Sequence, residues 1–308
     1  MTFPRLSDAL RMERLQSPSG KIRMVLDTDT YNEIDDQFAV TYALLSPDQL
    51  QVEALYAAPF FNARSSGPAD GMEKSYEEIL RLLERLDVDP SGLVFRGSRS
   101  YLESTNRPVE SDAAADLVER AMAGDASDPL YVAAIGAITN VASAILLEPA
   151  IIERIIVVWL GGNALTWPTA SEFNLKQDIL SSRLLFDCGV PLVQLPCKCV
   201  TTHLRTTVPE IERYVQGQGE IGDFLADRFK RYGDDHFAWS KEIWDVAAIA
   251  YLLNASWTPS DLVHSPILTD QVTWSHDNSR HLIRSANYVD RDPIFRDLFR
   301  KLAAAAQG

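Results

Sequence analysis

Basic residues are in short supply in this 308-residue chain. It has 29 lysines and arginines against 43 aspartates and glutamates, a formal net charge of −14. A surface of that sign repels a phosphate backbone and an anionic bilayer, which excludes the electrostatics of ordinary nucleic-acid and membrane binding. Neutral small molecules and metal cations stay open as ligands. Cysteine is scarce. Cys188, Cys197 and Cys199 are an odd set, too few for a disulfide framework, and Cys197-Lys198-Cys199 is one residue too tight for a CxxC redox or zinc motif. Free thiols are expected. Long apolar runs are also missing: no window of about 18 residues is apolar enough to cross a bilayer. Met1 to Gln16 is polar and of mixed charge, without the apolar stretch of a secretion signal. These absences lead to the expectation of a cytoplasmic protein with no nucleic-acid or membrane partner.

What is present is an ordinary globular composition, 46% hydrophobic and 23% charged, on a chain long enough to bury a large core. Apolar runs at Ile22–Leu26, Val52–Ala58, Leu93–Arg96, Leu130–Ile135, Ile155–Leu160 and Pro191–Leu195 read as short strands buried on both faces. Amphipathic stretches alternate with them: Asp36–Leu45, Met72–Leu86, Ser111–Ala123, Asn140–Leu147 and Leu180–Cys188. Strand and helix in alternation predict an α/β fold, an open and mostly parallel sheet flanked by helices. After Leu195 the rhythm changes. Helices are expected over Pro209–Val215, Ile221–Arg231, Ile243–Leu253 and Asp292–Ala305. Pro266–Trp274 and His281–Val289 read as a small strand pair, with His276-Asp277-Asn278 in its turn. No repeat or low-complexity linker divides the chain, so residues 1–308 are read as one domain. A helical subdomain near Thr201–Trp244 is an alternative.

The most informative segment follows the first strand. Asp27-Thr28-Asp29-Thr30-Tyr31-Asn32-Glu33-Ile34-Asp35-Asp36 places four aspartates and a glutamate between a buried strand and a helix. In open α/β sheets ligands bind at that carboxyl end. Crowded carboxylates raise one another's pKa values unless a cation sits among them, and a hard divalent cation with oxygen ligands is the natural partner. Helix capping by Asp35 would account for one or two of these acids but not for four.

Three metal-using classes share such a loop. A glycosyltransferase DxD leaves Asp35-Asp36 without a role. A haloacid-dehalogenase-like phosphatase would use Asp27 as nucleophile, but it needs Thr or Val where Tyr31 stands and a later acidic pair that Leu160-Gly161-Gly162-Asn163 lacks. The strand-DxD-loop-DD-helix arrangement resembles the nucleoside hydrolases, the inosine–uridine-preferring family. Their loop is usually DxDPGxDD, and here it is two residues longer. Further landmarks follow in the family's order: Ile135-Gly136-Ala137-Ile138-Thr139-Asn140 for its GPLTN turn, Gly161-Gly162 with Glu172-Phe173-Asn174 eleven residues beyond, Asn62 in Phe60-Phe61-Asn62, and Trp244-Asp245 for its His-Asp.

That resemblance implies a metal-dependent hydrolase of the N-glycosidic bond of a ribonucleoside or related N-riboside, yielding base and ribose, with a place in nucleoside catabolism and salvage. It implies Ca²⁺, with Mg²⁺ as the alternative, held by Asp29, Asp35, Asp36, Asp245 and the Ile135 carbonyl. It gives Asp29 the general base and assigns sugar contacts to Asp35, Asn62, Glu172 and Asn174. Thr166 stands where the family usually carries Asn, and the adjacent Trp167 is placed to wall the sugar or base. Trp244 replaces the family's leaving-group histidine and can stack on a base, but its indole N–H is no acid. His236 is therefore the expected leaving-group acid, with His203 as the other candidate, because imidazole titrates near neutrality. The family's habit of association implies a homodimer or homotetramer. A sugar- or nucleoside-binding homologue with weak turnover is the alternative to an enzyme.

Overall fold

The computed structural model describes residues 2–125 and 127–307. Met1, Ala126 and Gly308, which the single-domain expectation of 1–308 includes, lie outside the described residues. The chain opens with α1 (Asp8–Arg14), a helix the sequence reading left out, capped by the Ser7 hydroxyl accepting from the Leu10 amide. Then strand and helix alternate: β1 (Ile22–Thr28), α2 (Asp35–Leu44), β2 (Leu50–Ala57), α3 (Pro68–Arg85), β3 (Val94–Arg96), α4 (Asp112–Ala123), β4 (Leu130–Ala134), α5 (Thr139–Leu147), β5 (Ile155–Leu160), α6 (Phe173–Gln177), α7 (Ile179–Asp187) and β6 (Leu192–Leu195). The remainder comprises β7 (Arg205–Thr206), α8 (Val208–Tyr214), α9 (Gly219–Lys230), β8 (Lys241–Glu242), α10 (Val246–Leu253), β9 (Ser260–His264), β10 (Ile267–Leu268), β11 (Trp274–Ser275), β12 (Leu282–Ala286) and α11 (Arg291–Ala305).

The main sheet has the order β3-β2-β1-β4-β5-β6-β12-β9. Every pairing is parallel except β12 with β9. β1 and β4 are neighbours, yet the helix after β1 leads to β2 on one side and the helix after β4 leads to β5 on the other. The strand order therefore reverses between them, and a crevice opens at their carboxyl ends. The site lies there. Two apolar clusters, one on each side of the sheet, cover it. One is built around Met24, Leu26, α2 and α10; the other around Val25, Val132, α5 and Trp159. The helices α2 and α10 are buried almost all round and pack on each other. A helix apolar on every side belongs in such a core position.

The expected strand pair near the C-terminus is corrected. Pro266–Trp274 does not pair with His281–Val289. Instead β12 joins the main sheet, parallel to β6 and antiparallel to β9, while β10 and β11 form a separate antiparallel pair. The apolar alternation of Leu282–Ala286 suits either partner; the exposed edge of β6 decided it, since an unpaired edge gains a full ladder of hydrogen bonds. Asp35 is likewise no cap. It is the first residue of α2, after an N-cap at Ile34 that makes no side-chain bond.

Candidate active site

Asp29 leaves the end of β1 and is 1% exposed. Its carboxylate oxygens are both buried and accept no hydrogen bond among the described residues. Gly136, just after β4, makes room for it: a Cβ there would lie 3.2 Å from the Asp29 carboxyl carbon and 3.1 Å from the Ala58 methyl. Asp35 and Asp36 open α2, and Asp245 stands at the start of α10. Because those two helices pack together, their N-termini bring the three carboxylates into one cluster, with one oxygen of each within 4.8 Å of the others. Positive helix ends favour such charge, worth a few tenths to about 1 kcal/mol each. Among the described residues one hydroxyl is committed to the cluster, that of Thr28, which donates to Asp36 Oδ1 at 2.6 Å.

Burial and mutual repulsion push these acids up. Burial is the main cause for Asp29, with Asp36 and Asp35 next, and for Asp245, with Asp35 and Asp36 next; both lie well above the ordinary carboxyl value. Burial lifts Asp35 to about 8 against the pull of Lys241, and lifts Asp36 to about 6 against its bonds to Thr28 and Asp245. Lys241, 8% exposed, is bonded to Glu33 at 2.6 Å, so the basic side chain that acts on Asp35 is already engaged. Four buried carboxylates with unfilled lone pairs are an unfavourable arrangement unless a cation compensates them. The donor set is all oxygen, the preference of a hard divalent ion. The Ile135 carbonyl lines the same pocket. It accepts from Asn174 Nδ2 at 3.0 Å and has a second lone pair free.

The pocket holds about 220 Å³ and is walled by the loops after β1, β4, β5 and β6 and by the start of α10. Of the residues read from the sequence, it gathers Asp29, Asp35, Asp36, Ile135, Glu172, Asn174, Trp244 and Asp245. Glu172 caps α6: its Oε1 accepts from the Asn174 amide, and its Oε2 accepts from the amides of Gly162 and Leu175. Asn174 spends both Nδ2 protons on the carbonyls of Ile135 and Leu160, so its Oδ1 is the free atom, an acceptor. Gly162 has φ +74°, and a Cβ there would meet Trp274 at 2.9 Å. The Gly-Gly turn therefore needs its second glycine.

Other expected residues lie outside this wall. Asn62 is one step removed, its Nδ2 donating at 2.6 Å to Asn32 Oδ1, and Asn32 lines the pocket in its place. Thr166 and Trp167 are exposed in the loop after β5; Asn163 lines the wall instead, donating to the carbonyls of Thr169 and Ser171. His236 packs on Trp239, and His203 packs on Tyr288; neither imidazole reaches the pocket. Asp27 is fully buried behind Asn140, whose Nδ2 donates to it at 2.7 Å, and burial raises it to about 7. It does not line the pocket, which removes the nucleophile of the phosphatase alternative. The sequence reading missed Asn32, Glu33, Leu160, Asn163, Ser171, Phe173, Cys197 and Lys198 as wall residues. Glu33 and Asn32 were legible as part of the acidic loop; the rest had no signal beyond position at strand ends.

Known proteins share this construction. The family model described as inosine-uridine preferring nucleoside hydrolase matches residues 24–294. A pyrimidine-specific ribonucleoside hydrolase RihA of Klebsiella pneumoniae (strain 342) is 27% identical over 260 residues, covering 75% of this chain and 79% of that one. Among solved structures, a purine-preferring ribonucleoside hydrolase from Gardnerella vaginalis superposes with a TM-score of 0.77 at 18% identity, covering 92% of this chain and 99% of that one. An inosine-uridine preferring nucleoside hydrolase from Bacillus anthracis gives 0.70 at 14% identity, over 92% and 99% of the two chains. At such identities these two structures speak for the fold.

Proposed function

The chain belongs to the inosine-uridine preferring nucleoside hydrolase family and is an N-glycosyl hydrolase, and we propose that it cleaves ribonucleosides to free base and ribose with a divalent cation, Ca²⁺ before Mg²⁺. The observation that carries this reading is the cluster of Asp35, Asp36 and Asp245 beside the two uncompensated oxygens of Asp29. Asp29, Asp35, Asp36, Asp245 and the Ile135 carbonyl would hold the ion. When bound, it supplies Lewis-acid polarisation of water and an anchor for sugar hydroxyls.

The remaining work falls to the chain's own groups. Breaking an N-glycosidic bond builds positive charge on the ribosyl ring, and an all-acid pocket floor stabilises that charge. An Asp29 carboxylate oxygen takes the proton of the attacking water. Asn174 Oδ1 accepts from a sugar hydroxyl, and the spare lone pair of Glu172 Oε1 accepts from another. Asn62 supports the sugar through Asn32. Trp244 offers its ring face to the departing base, an interaction open to purines and pyrimidines alike.

Ribose release from a panel of ribonucleosides tests this. Wild type should release ribose, lose the activity on chelation and regain it with Ca²⁺. Asp29→Asn should lose it by at least the 10²–10⁴-fold that a general base contributes. A folded wild type that releases no ribose from any nucleoside with Ca²⁺ present would overturn ribonucleoside cleavage and leave a non-nucleoside substrate or a binding role.

A further inference from the structure

Departure of the base needs a partner for the negative charge left on its nitrogen, and no imidazole lines the pocket. The geometry points to Lys198 as that partner: a catalytic residue that donates a proton to the leaving base beside Trp244. This assignment rests on the hydrolase reading above. Lys198 is the single basic side chain among the described residues of the pocket wall, which otherwise carries six carboxylates and neutral groups. Its ammonium makes no ion pair and no hydrogen bond among the described residues; its recorded partner is the Trp244 ring, whose centroid lies 5.5 Å from Nζ. An ammonium over an indole face is held by about 0.5–1 kcal/mol at an exposed site, enough to orient it and not enough to occupy its protons.

The backbone beneath it is fixed. The Cys197 amide donates to the Gly162 carbonyl at 2.9 Å, the Lys198 amide to Asn163 Oδ1 at 3.2 Å, and the Ala164 amide to the Lys198 carbonyl at 3.4 Å. Cys199 then turns the chain away with φ +71°. A flexible side chain therefore springs from a rigid loop at the carboxyl end of β6, on the rim of the pocket and next to the residue that precedes Asp245. Among the other donors on the wall, Asn163 Nδ2 and Asn174 Nδ2 are each committed to two carbonyls, and the amide of Asn32, the hydroxyl of Ser171 and the indole of Trp244 are neutral groups that do not give up a proton near neutrality.

The step balances without a further reactant. The C1′–N bond breaks with its electron pair moving to the base, and the base takes a proton from Lys198 Nζ. Water adds its oxygen to C1′ and gives its proton to Asp29. The exposed Lys198 amine regains a proton from solvent, and Asp29 returns its own. Lysine is among the side chains that act in general acid–base catalysis, whose contribution is typically about 10²–10⁴-fold.

The test is the dependence of kcat on the acidity of the leaving group, across ribosides from uridine and inosine to 4-nitrophenyl β-D-ribofuranoside, whose phenolate departs without a proton. Lys198→Met should slow the ribonucleosides about 10²-fold, leave the nitrophenyl riboside within about threefold, and so steepen the dependence. Lys198→Arg, which keeps the charge and the long stem but does not release its proton, should stay within about threefold of the Met variant on the ribonucleosides, and a full recovery by Arg would overturn proton donation. An equal loss across the series, or a change confined to KM, would overturn the assignment while leaving the hydrolase intact. A wild type inert towards every riboside in the series overturns the hydrolase reading, and this assignment with it.

Discussion

Asp29 is the residue on which most of the proposed chemistry depends. Its carboxylate is buried, faces three other acids and has no donor of its own. A group held in that state would serve the proposed catalysis and, without a cation, costs the fold stability. Asp29→Asn should therefore act in two directions. Activity falls, while the chelated protein gains stability on the order of 1 kcal/mol, since each pKa unit of perturbation removed is worth about 1.4 kcal/mol. Urea unfolding in the presence of a chelator at pH 8 measures it; a loss of stability in the variant would show that Asp29 is compensated in the resting protein after all. Glu172 teaches a complementary lesson. The family resemblance marked it as a sugar contact, yet three backbone amides already bind its two oxygens. One carboxylate can cap a helix and still present one lone pair to a ligand.

At the scale of elements, the site depends on turns more than on side chains. Gly162 adopts φ +74° at the end of β5 with Trp274 and Leu175 packed where a Cβ would stand. The chain must turn there to return Glu172 and Asn174 to the pocket and to receive the Cys197 amide from the loop after β6. Gly162→Ala should cost more than about 1 kcal/mol, from the left-handed backbone and the clash together. Activity should fall further than stability accounts for, because both pocket walls hinge on this residue. Thermal unfolding and ribose release on one preparation separate the two effects; a variant with a native melting point and full activity would deny the turn its role. The pairing of α2 with α10 is the other element-level device. Their joined N-termini, and not any local sequence, bring Asp245 to Asp35 and Asp36 across about two hundred residues of chain.

For the whole molecule, the acidic cluster sets how stability responds to pH and metal. Asp36, Asp27 and Asp35 hold protons more tightly when folded, near 6, 7 and 8 against the ordinary 3.8. Their contribution is complete below 3.8, where folded and unfolded chains are both protonated. It is lost as pH rises through the folded values. The chelated protein should thus be less stable at pH 8 than at pH 5. A divalent cation should flatten the fall, since it replaces protons at Asp35 and Asp36, though not at Asp27. Ca²⁺ at a hundred times its Kd adds about 2.7 kcal/mol. Melting curves at both pH values, with Ca²⁺ or chelator, test this; equal melting points in all four conditions would remove the cation from the site.

Much of this molecule was written in its local order of residues. The buried runs Ile22–Leu26 and Ile155–Leu160 became central strands because continuous apolar character fits only a sheet covered on both faces. Asp29, Asp35, Asp36, Glu172, Asn174 and Asp245 were readable because an unusual density of acids, and a resemblance carried by short motifs, needs no knowledge of distance. Tertiary structure decided the rest. It moved Asn62 behind Asn32 and left Thr166, Trp167 and His236 outside the pocket, since loop length and packing set where a side chain ends and neither is encoded in residue type. It sent β12 to the free edge of β6, where a parallel ladder was available. Lys198 had no signal in a CxC triplet; only a fixed loop at a strand end, beside Trp244, turned an ordinary surface lysine into the one basic side chain among the described residues of the pocket wall. The sequence by itself determined which groups could do chemistry, because charge and hydrogen-bonding capacity are local; the fold alone decided which of them meet, because proximity is a property of the packed chain.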